Sequence, residues 1–112
     1  MTAVVMAASL PPARRQLVKR MQALNFGRIE GLSVRNGEPV LAPPPRIIRE
    51  VKFGGQNGPR PESVSADFAI KTEVLELFEQ ITAMRQGVIA CIEVRHGLPF
   101  RMITEDDAQV RG

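Results

Sequence analysis

The chain lacks tryptophan and tyrosine altogether and holds one cysteine and one histidine among its 112 residues. Proteins that bind single-stranded nucleic acid commonly stack the bases on aromatic rings, and here phenylalanine alone could supply those rings. A lone cysteine excludes a disulfide within the chain, which favours a reducing, cytoplasmic location. A zinc site would lack its cysteine and histidine ligands. The composition therefore predicts no metal and no cofactor.

Long apolar runs are missing as well. No run approaches the roughly 18 residues of a membrane-spanning helix, so we expect no membrane partner. Residues 1–10 are largely apolar but have no basic start, and Pro11 follows them directly. They do not fit a signal peptide and are predicted to be a flexible tail or an extra edge strand.

Paired catalytic groups are also scarce. Cys91 and His96 lie five positions apart along one predicted strand, which is roughly 16 Å and too far for a nucleophile and its base. Glu30, Glu38 and Glu93 could serve as acid or base, but nothing pairs them with a nucleophile or a metal. We therefore predict no catalytic residues and expect that the protein is not an enzyme.

The dominant feature that is present is a repeat: residues 17–40 recur at 77–100. Of the 23 positions from 17 to 39, eight are identical after a shift of 60, whereas average composition would give roughly one or two. Most of the other positions keep their character, which predicts an internal duplication. The residues conserved between the copies are Leu17, Ala23, Gly27, Ile29, Val34, Arg35, Gly37 and Pro39.

Within each copy, apolar residues first follow helical spacing and then strand spacing, which predicts a helix followed by a hairpin. Pro11 and Pro12 mark where the first helix can begin. Gly27 and Gly87 are predicted to end the helices as left-handed residues. Hairpin turns are predicted at Asn36-Gly37 and His96-Gly97. Because Pro39 and Pro99 lack an amide hydrogen, the strands that follow these turns are predicted either to lie at sheet edges or to leave the proline position outside the hydrogen-bonded ladder.

The segment between the copies predicts further elements. Pro43–Pro45 form a stiff spacer, and residues 46–53 alternate like a fifth strand. Residues 54–61 are rich in glycine and proline and predict a flexible turn rather than a phosphate loop, because Pro59 and Pro61 remove amide donors. The second helix is predicted from Asp67 to Arg85, with Ser65 or Asp67 as its cap.

These elements predict one α+β domain. It consists of two αββ halves related by a pseudo-twofold, which share a mainly antiparallel sheet with both helices on one face. The predicted boundaries are 1–10 for the flexible or edge segment, 11–42 for the first repeat, 43–64 for the strand and connector, 65–104 for the second repeat and 105–112 for an acidic tail.

The second hairpin is apolar on both predicted faces, and two helices on one face cannot cover it. An uncovered apolar face is typical of an interface, so we expect a self-associating protein-interaction module, a homodimer, with an unidentified protein partner. The residues predicted for this face are Ile89, Cys91, Leu98, Phe100 and Met102, with Ile103 in place of Met102 if the register of the return strand differs.

Charge is divided unevenly along the chain. Residues 1–60 hold ten Lys or Arg against three Asp or Glu, a net charge of +7, whereas residues 61–112 hold five against nine, a net of −4. The two helices could lie side by side with complementary charge. The alternative function is nucleic-acid binding through the basic first half. Its candidate contacts are Arg14, Arg15, Lys19, Arg20, Arg28, Arg35, Arg46, Arg49 and Lys52.

The pattern from Leu77 to Phe100, with Gly87, His96-Gly97 and Pro99, resembles a family of short uncharacterised bacterial helix–hairpin proteins. The resemblance covers residues 17–41 and 77–101. The duplication is a departure from that family. The resemblance implies a small soluble bacterial αββ unit and implies nothing about a substrate.

Overall fold

The structure, a computed structural model, describes residues 6–51, 53–54 and 71–105. It is an α+β fold with two helices and a five-stranded sheet. A short 3-10 helix at Ala7–Ser9 precedes the first helix. The helices are α1, Pro12–Leu24, and α2, Thr72–Met84. The strands are β1, Gly27–Arg35; β2, Glu38–Val40; β3, Arg46–Arg49; β4, Gly87–Arg95; and β5, Leu98–Thr104.

Strands β1 and β4 form the centre of the sheet and run antiparallel, with Gly27 opposite Val94 and Gly87 opposite Val34. β5 pairs with β4 on one side. On the other side, β2 pairs with the end of β1 and β3 pairs with its beginning, so these two short strands share one edge. Every described pairing is antiparallel, which confirms the predicted mainly antiparallel sheet. The fifth strand is also present, although it ends at Arg49 rather than near residue 53.

The core is one hydrophobic cluster to which both helices and both central strands contribute. The helical stripes predicted from the sequence are the buried ones, and full burial of a large aliphatic side chain contributes about 1.5–3 kcal/mol. The buried members are Leu17, Val18, Met21 and Leu24 from α1, Val74, Leu77, Phe78 and Ile81 from α2, and Ile29, Leu32, Val34, Ile89, Ile92 and Val94 from the strands.

The helices end differently from the prediction. The residues with positive φ at their C-termini are Asn25, with φ 64° and ψ −59°, and Arg85, with φ 67° and ψ −60°. Gly27 and Gly87 come two residues later, with φ 152° and 147°. A Cβ atom on Gly27 would lie 2.1 Å from the carbonyl oxygen of Ile48. This glycine is therefore required for the close approach of β3, not for capping α1.

The hairpin turns agree with the prediction. Asn36 and His96 both have φ 55°, and Gly37 and Gly97 both have φ 74°, the positive values that a type I′ turn requires at its two central residues. Each turn is also bound to the end of the more distant helix. The Gly37 amide donates to the Arg85 carbonyl, and the Gly97 amide donates to the Asn25 carbonyl, both at 2.9 Å.

The start of α2 also differs from the prediction. Lys71 is extended, with φ −73° and ψ 156°, so α2 begins at Thr72 and not at Asp67. The predicted caps, Ser65 and Asp67, lie outside the described residues, as do most of the glycine- and proline-rich connector, the first five residues and the tail from residue 106. No helix in the described part of the chain is long and apolar enough to cross a membrane.

Candidate interaction surface

The predicted self-association face is only partly exposed. Ile89 has no exposed surface and belongs to the core cluster, so its placement on an outer face was wrong. Leu98 and Met102 also pack against the core as partly buried side chains. The physical reason lies in β4, where Ile89 and Ile92 are both buried although they are three residues apart. The alternation of inward- and outward-facing side chains is interrupted between these two residues, so a strict two-residue period assigns Ile89 to the wrong face of the sheet.

The face opposite the core can be read from the strand pairing, because residues directly opposite each other share one face. One row across the sheet consists of Arg28, Glu93 and Arg101. The next row consists of Glu30, Cys91 and Ile103. The charges in these rows pair locally: Arg28 Nε donates to Glu30 at 3.1 Å, and Arg101 Nε donates to Glu93 at 3.0 Å. Exposed pairs of this kind add little stability, but they leave this part of the face nearly neutral.

Cys91 lies between these two ion pairs and is partly buried. Burial raises the pKa of its thiol, and the nearby carboxylates of Glu30 and Glu93 raise it further, against the opposing effect of Arg28 and Arg101. The thiol therefore stays protonated at neutral pH and is a poor nucleophile. His96 is placed in the hairpin turn, where its ring meets Phe26 edge-on at 4.8 Å.

Three large apolar side chains of the second hairpin are exposed. Their exposed fractions are 53% for Val88, 56% for Phe100 and 44% for Ile103. The Arg95 guanidinium lies 4.1 Å from the centre of the Phe100 ring, which provides a cation–π contact. The sequence prediction included Phe100 and named Ile103 as the alternative to Met102, and of these two it is Ile103 that is exposed. It missed Val88, because the break in the alternation of β4 reverses the face expected for this residue. The sequence feature that could have indicated the interrupted alternation is Gly31, a glycine inside β1, the strand that pairs with β4. Its φ is 72°.

The basic residues predicted to contact nucleic acid do not form one surface. Arg14 is used inside the fold, where it donates to Glu38 at 2.9 Å and to Thr82 of α2 at 2.9 Å and lies 5.2 Å from the Phe78 ring centre. Arg49 donates to the carbonyl groups of Ala23 and Leu24 at the end of α1. Both side chains are therefore engaged in holding elements together.

The remaining members of that set lie in several places. Lys19 and Arg20 are exposed on α1, and Arg15 is half-buried beside Ala8. Arg28 and Arg46 belong to the sheet face opposite the core, since Arg46 lies opposite Glu30. Arg35 is exposed at the end of β1, and Lys52 lies outside the described residues. The basic first half therefore divides between the helix side and the far side of the sheet.

Enzyme-like features are sparse in the described part of the chain. No group of three or more residues of the metal-ligating types is present there. An apolar groove of about 540 Å³ lies between Leu10, Arg14 and α2, with Phe78 at its base. Its polar lining, Arg14, Glu79 and Thr82, includes the Arg14–Thr82 hydrogen bond that supports the fold.

Comparisons with protein families, with curated proteins and with solved structures found no match to this chain. The resemblance to short bacterial helix–hairpin proteins therefore stays a prediction, and the function has to be argued from the surface itself.

Proposed function

We propose that the protein is a small non-enzymatic interaction module that associates with a second copy of itself through its second hairpin. The observation that carries this proposal is the exposure of Val88, Phe100 and Ile103 on two neighbouring strands. The register places Ile103 opposite Cys91, between Val88 toward one end of the hairpin and Phe100 toward the other. Exposed apolar surface is typical of interaction sites. A reducing cytoplasmic location is part of the proposal, because the single thiol serves no disulfide within the chain.

The charges around this hairpin support association with an identical chain. Arg101 pairs with Glu93 and Arg28 pairs with Glu30, so a second copy meets a surface with little net charge. Two copies approaching through a strongly basic surface would repel each other. The exposed cations Lys19 and Arg20 belong to α1 and not to the hairpin.

The proposal is tested by light scattering on matched variants. We expect the wild type to be a dimer at about 10 μM, which corresponds to roughly 7 kcal/mol of association free energy. Ile103→Lys should be a monomer with an unchanged circular dichroism spectrum. Ile47→Lys is the matched control, because Ile47 is 40% exposed on the opposite edge of the sheet, and it should remain a dimer. A wild type that is monomeric at this concentration would contradict the proposal.

A second candidate function is nucleic-acid binding, favoured by the exposed neighbouring cations Lys19 and Arg20 on α1. Each phosphate contact releases counterions, so binding would weaken steeply with salt. Exchanging Lys19 and Arg20 for glutamate should then abolish a salt-sensitive interaction with mixed DNA and RNA without altering stability. Binding that is absent at about 50 mM salt, where phosphate contacts are strong, would remove this candidate.

We also infer that the domain arose by internal duplication and has a pseudo-twofold axis between β1 and β4. The helices each have 13 residues and the central strands each have nine, and each pair is offset by 60 positions. The pairing of Gly27 with Val94 and of Gly87 with Val34 is what such an axis requires. Because each hairpin turn bonds to the end of the other half's helix, neither half would be complete alone.

A further inference from the structure

We propose that two copies associate by antiparallel pairing of their β5 strands, with a twofold axis at Ile103 and with Arg101 facing Glu105 of the partner subunit. The inference rests on the proposed self-association and names its geometry. The product is one continuous sheet across both subunits, a recurrent mode of recognition in which main-chain hydrogen bonds supply affinity.

β5 is the edge strand with room for a partner. Among the described residues it pairs only with β4. Its first part is unsuited to pairing, because Pro99 has no amide hydrogen and Phe100 is the extra residue between the pairs Val94–Pro99 and Glu93–Arg101. Arg101, Met102 and Ile103 have consecutive partners in β4, and the register shift before Thr104 places the extra residue, Ala90, in β4 and not in β5. This regular part of the strand is the template that edge-to-edge pairing needs.

The other edge of the sheet is protected. It consists of β2, with three residues, and β3, with four, and the two are separated by residues 41–45. Three of those five residues are proline. Short strands and prolines are the usual devices against edge pairing. Association is therefore directed to β5.

The side chains of β5 select one register. Arg101 and Ile103 alternate along the strand and share its outer face, since they lie opposite Glu93 and Cys91, and Glu105 is the first residue after the strand ends at Thr104. A twofold axis at Ile103 places each Arg101 opposite the Glu105 of the partner subunit and places the two Ile103 side chains together. An axis at Met102 would lose both ion pairs, and an axis at Arg101 would bring two arginines together. Opposite charges facing each other across strands favour the first register.

The helix above β5 is compatible with this register. A hollow of about 270 Å³ beside the end of the strand is lined by Gln80, Ala83, Met84, Met102, Thr104 and Glu105. The carboxylates of Glu73 and Glu76 line a different hollow, toward Phe100. The α2 side chains in this hollow, Gln80, Ala83 and Met84, are uncharged, so the two helices themselves would not repel each other near the proposed axis. The one charged residue in the hollow is Glu105, which the proposed register places opposite Arg101 of the partner subunit.

Cysteine cross-linking tests the axis directly. Residues opposite each other in an antiparallel pair have Cα atoms about 4.5–5.5 Å apart, which a disulfide spans. Ile103→Cys should therefore form a covalent dimer on mild oxidation. The experiment requires a Cys91→Ser background, because Cys91 lies opposite Ile103 within the same chain and would capture the new thiol. The matched control, Ile47→Cys in that background, should stay monomeric on non-reducing gels.

Charge exchange tests the register. Glu105→Arg should weaken the dimer about tenfold, because two attractive pairs become two repulsive ones. Arg101→Glu should weaken it at least as much, since it also removes the ion pair with Glu93. The double exchange should recover most of the affinity that Arg101→Glu loses. No recovery would refute the register.

The outcomes separate the two proposals. A wild type that is monomeric removes both the self-association and its geometry. A wild-type dimer in which Ile103→Cys cross-links no better than Ile47→Cys leaves the self-association standing and refutes pairing through β5.

Discussion

Replacing Gly27 with alanine should destabilise the protein far more than the same change at Gly87, although the two glycines occupy matching places. The Cβ atom at Gly27 would lie 2.1 Å from the Ile48 carbonyl oxygen and 3.1 Å from the Arg49 Cα atom. Both are backbone atoms of β3, which cannot move without breaking its pairing with β1. At Gly87 the nearest atom is the Met84 methyl group at 2.8 Å, the end of a flexible side chain that can turn away.

The expected magnitudes follow from these contacts. Both glycines have positive φ, 152° and 147°, and holding alanine there costs about 1–3 kcal/mol. Gly27→Ala adds an overpacking cost of about 1–3 kcal/mol, so we expect a total near 4 kcal/mol and a loss of β3 pairing. Gly87→Ala should cost about 2 kcal/mol. Gly31→Ala is a third reference. Gly31 has φ 72°, but no atom lies within 4 Å of the position that a Cβ would take, so we expect a loss of about 1 kcal/mol in the free energy of unfolding, from backbone strain alone.

Urea unfolding at one fixed protein concentration measures these differences, and hydrogen exchange reports on β3. Gly27→Ala should expose the β3 amides to exchange at urea concentrations where β4 and β5 stay protected. Equal losses for Gly27→Ala and Gly87→Ala, within about 0.5 kcal/mol, would show that the approach of β3 is not what requires a glycine.

Three further predictions follow from individual side chains. Arg14→Ala should lower the free energy of unfolding by about 1–3 kcal/mol, because the hydrogen bonds of Arg14 join α1 to β2 and to α2. Lys19→Ala, on the exposed face of the same helix, is the control and should change this free energy by less than about 0.5 kcal/mol. Ile89→Ala should cost about 2–4 kcal/mol as a fully buried residue, and its exposed neighbour Val88→Ala should be nearly neutral; similar values would contradict the assignment of Ile89 to the core. The folded state raises the pKa of the Cys91 thiol. The native protein therefore keeps the thiol proton at pH values where the unfolded chain, whose cysteine has a pKa of about 8.5, has lost it. The free energy of unfolding should therefore fall as the pH rises from the unfolded-state pKa through the folded-state pKa. Cys91→Ser should remove that part of the fall, and parallel urea midpoints for both proteins from pH 8 to 10 would rule the effect out.

The features that sequence predicts well here are local and periodic. The stripe of Leu17, Met21 and Leu24 predicts α1, because apolar residues spaced three and four positions apart lie on one face of a helix. The turn at Asn36-Gly37 is predictable because its backbone angles demand those residue types. Pro39 and Pro99 correctly indicate edge strands, since neither can donate to a neighbouring strand.

The features that sequence misses depend on partners distant along the chain. The need for glycine at position 27 comes from β3, whose Ile48 carbonyl meets it only in the folded sheet. Arg14 looks like one of several solvent-facing cations, yet its partner Thr82 is 68 residues away. Ile89 was assigned to the wrong face because the irregularity in β4 is a property of the paired strands. The outer face of the second hairpin could therefore be inferred as a surface, and Cys91 and Phe100 as members of it, but Ile89 was assigned to it wrongly and Val88 was missed.

The difference between the two sheet edges decides what kind of assembly self-association would produce. If the β2–β3 edge and the β5 edge were both open, each copy could add another at either end and the sheet would extend without limit. The prolines between β2 and β3 close one edge, and the outer-face sequence of β5 is complementary to itself in the register centred at Ile103. A single self-complementary edge can satisfy only one partner, so the proposed assembly would close as a dimer. Opening the protected edge should change the size of the assembly. If residues 41–45 were replaced by a short turn that lets β2 continue into β3, we expect light scattering to show species larger than a dimer. A strict dimer in that variant would show that edge protection is not what limits assembly.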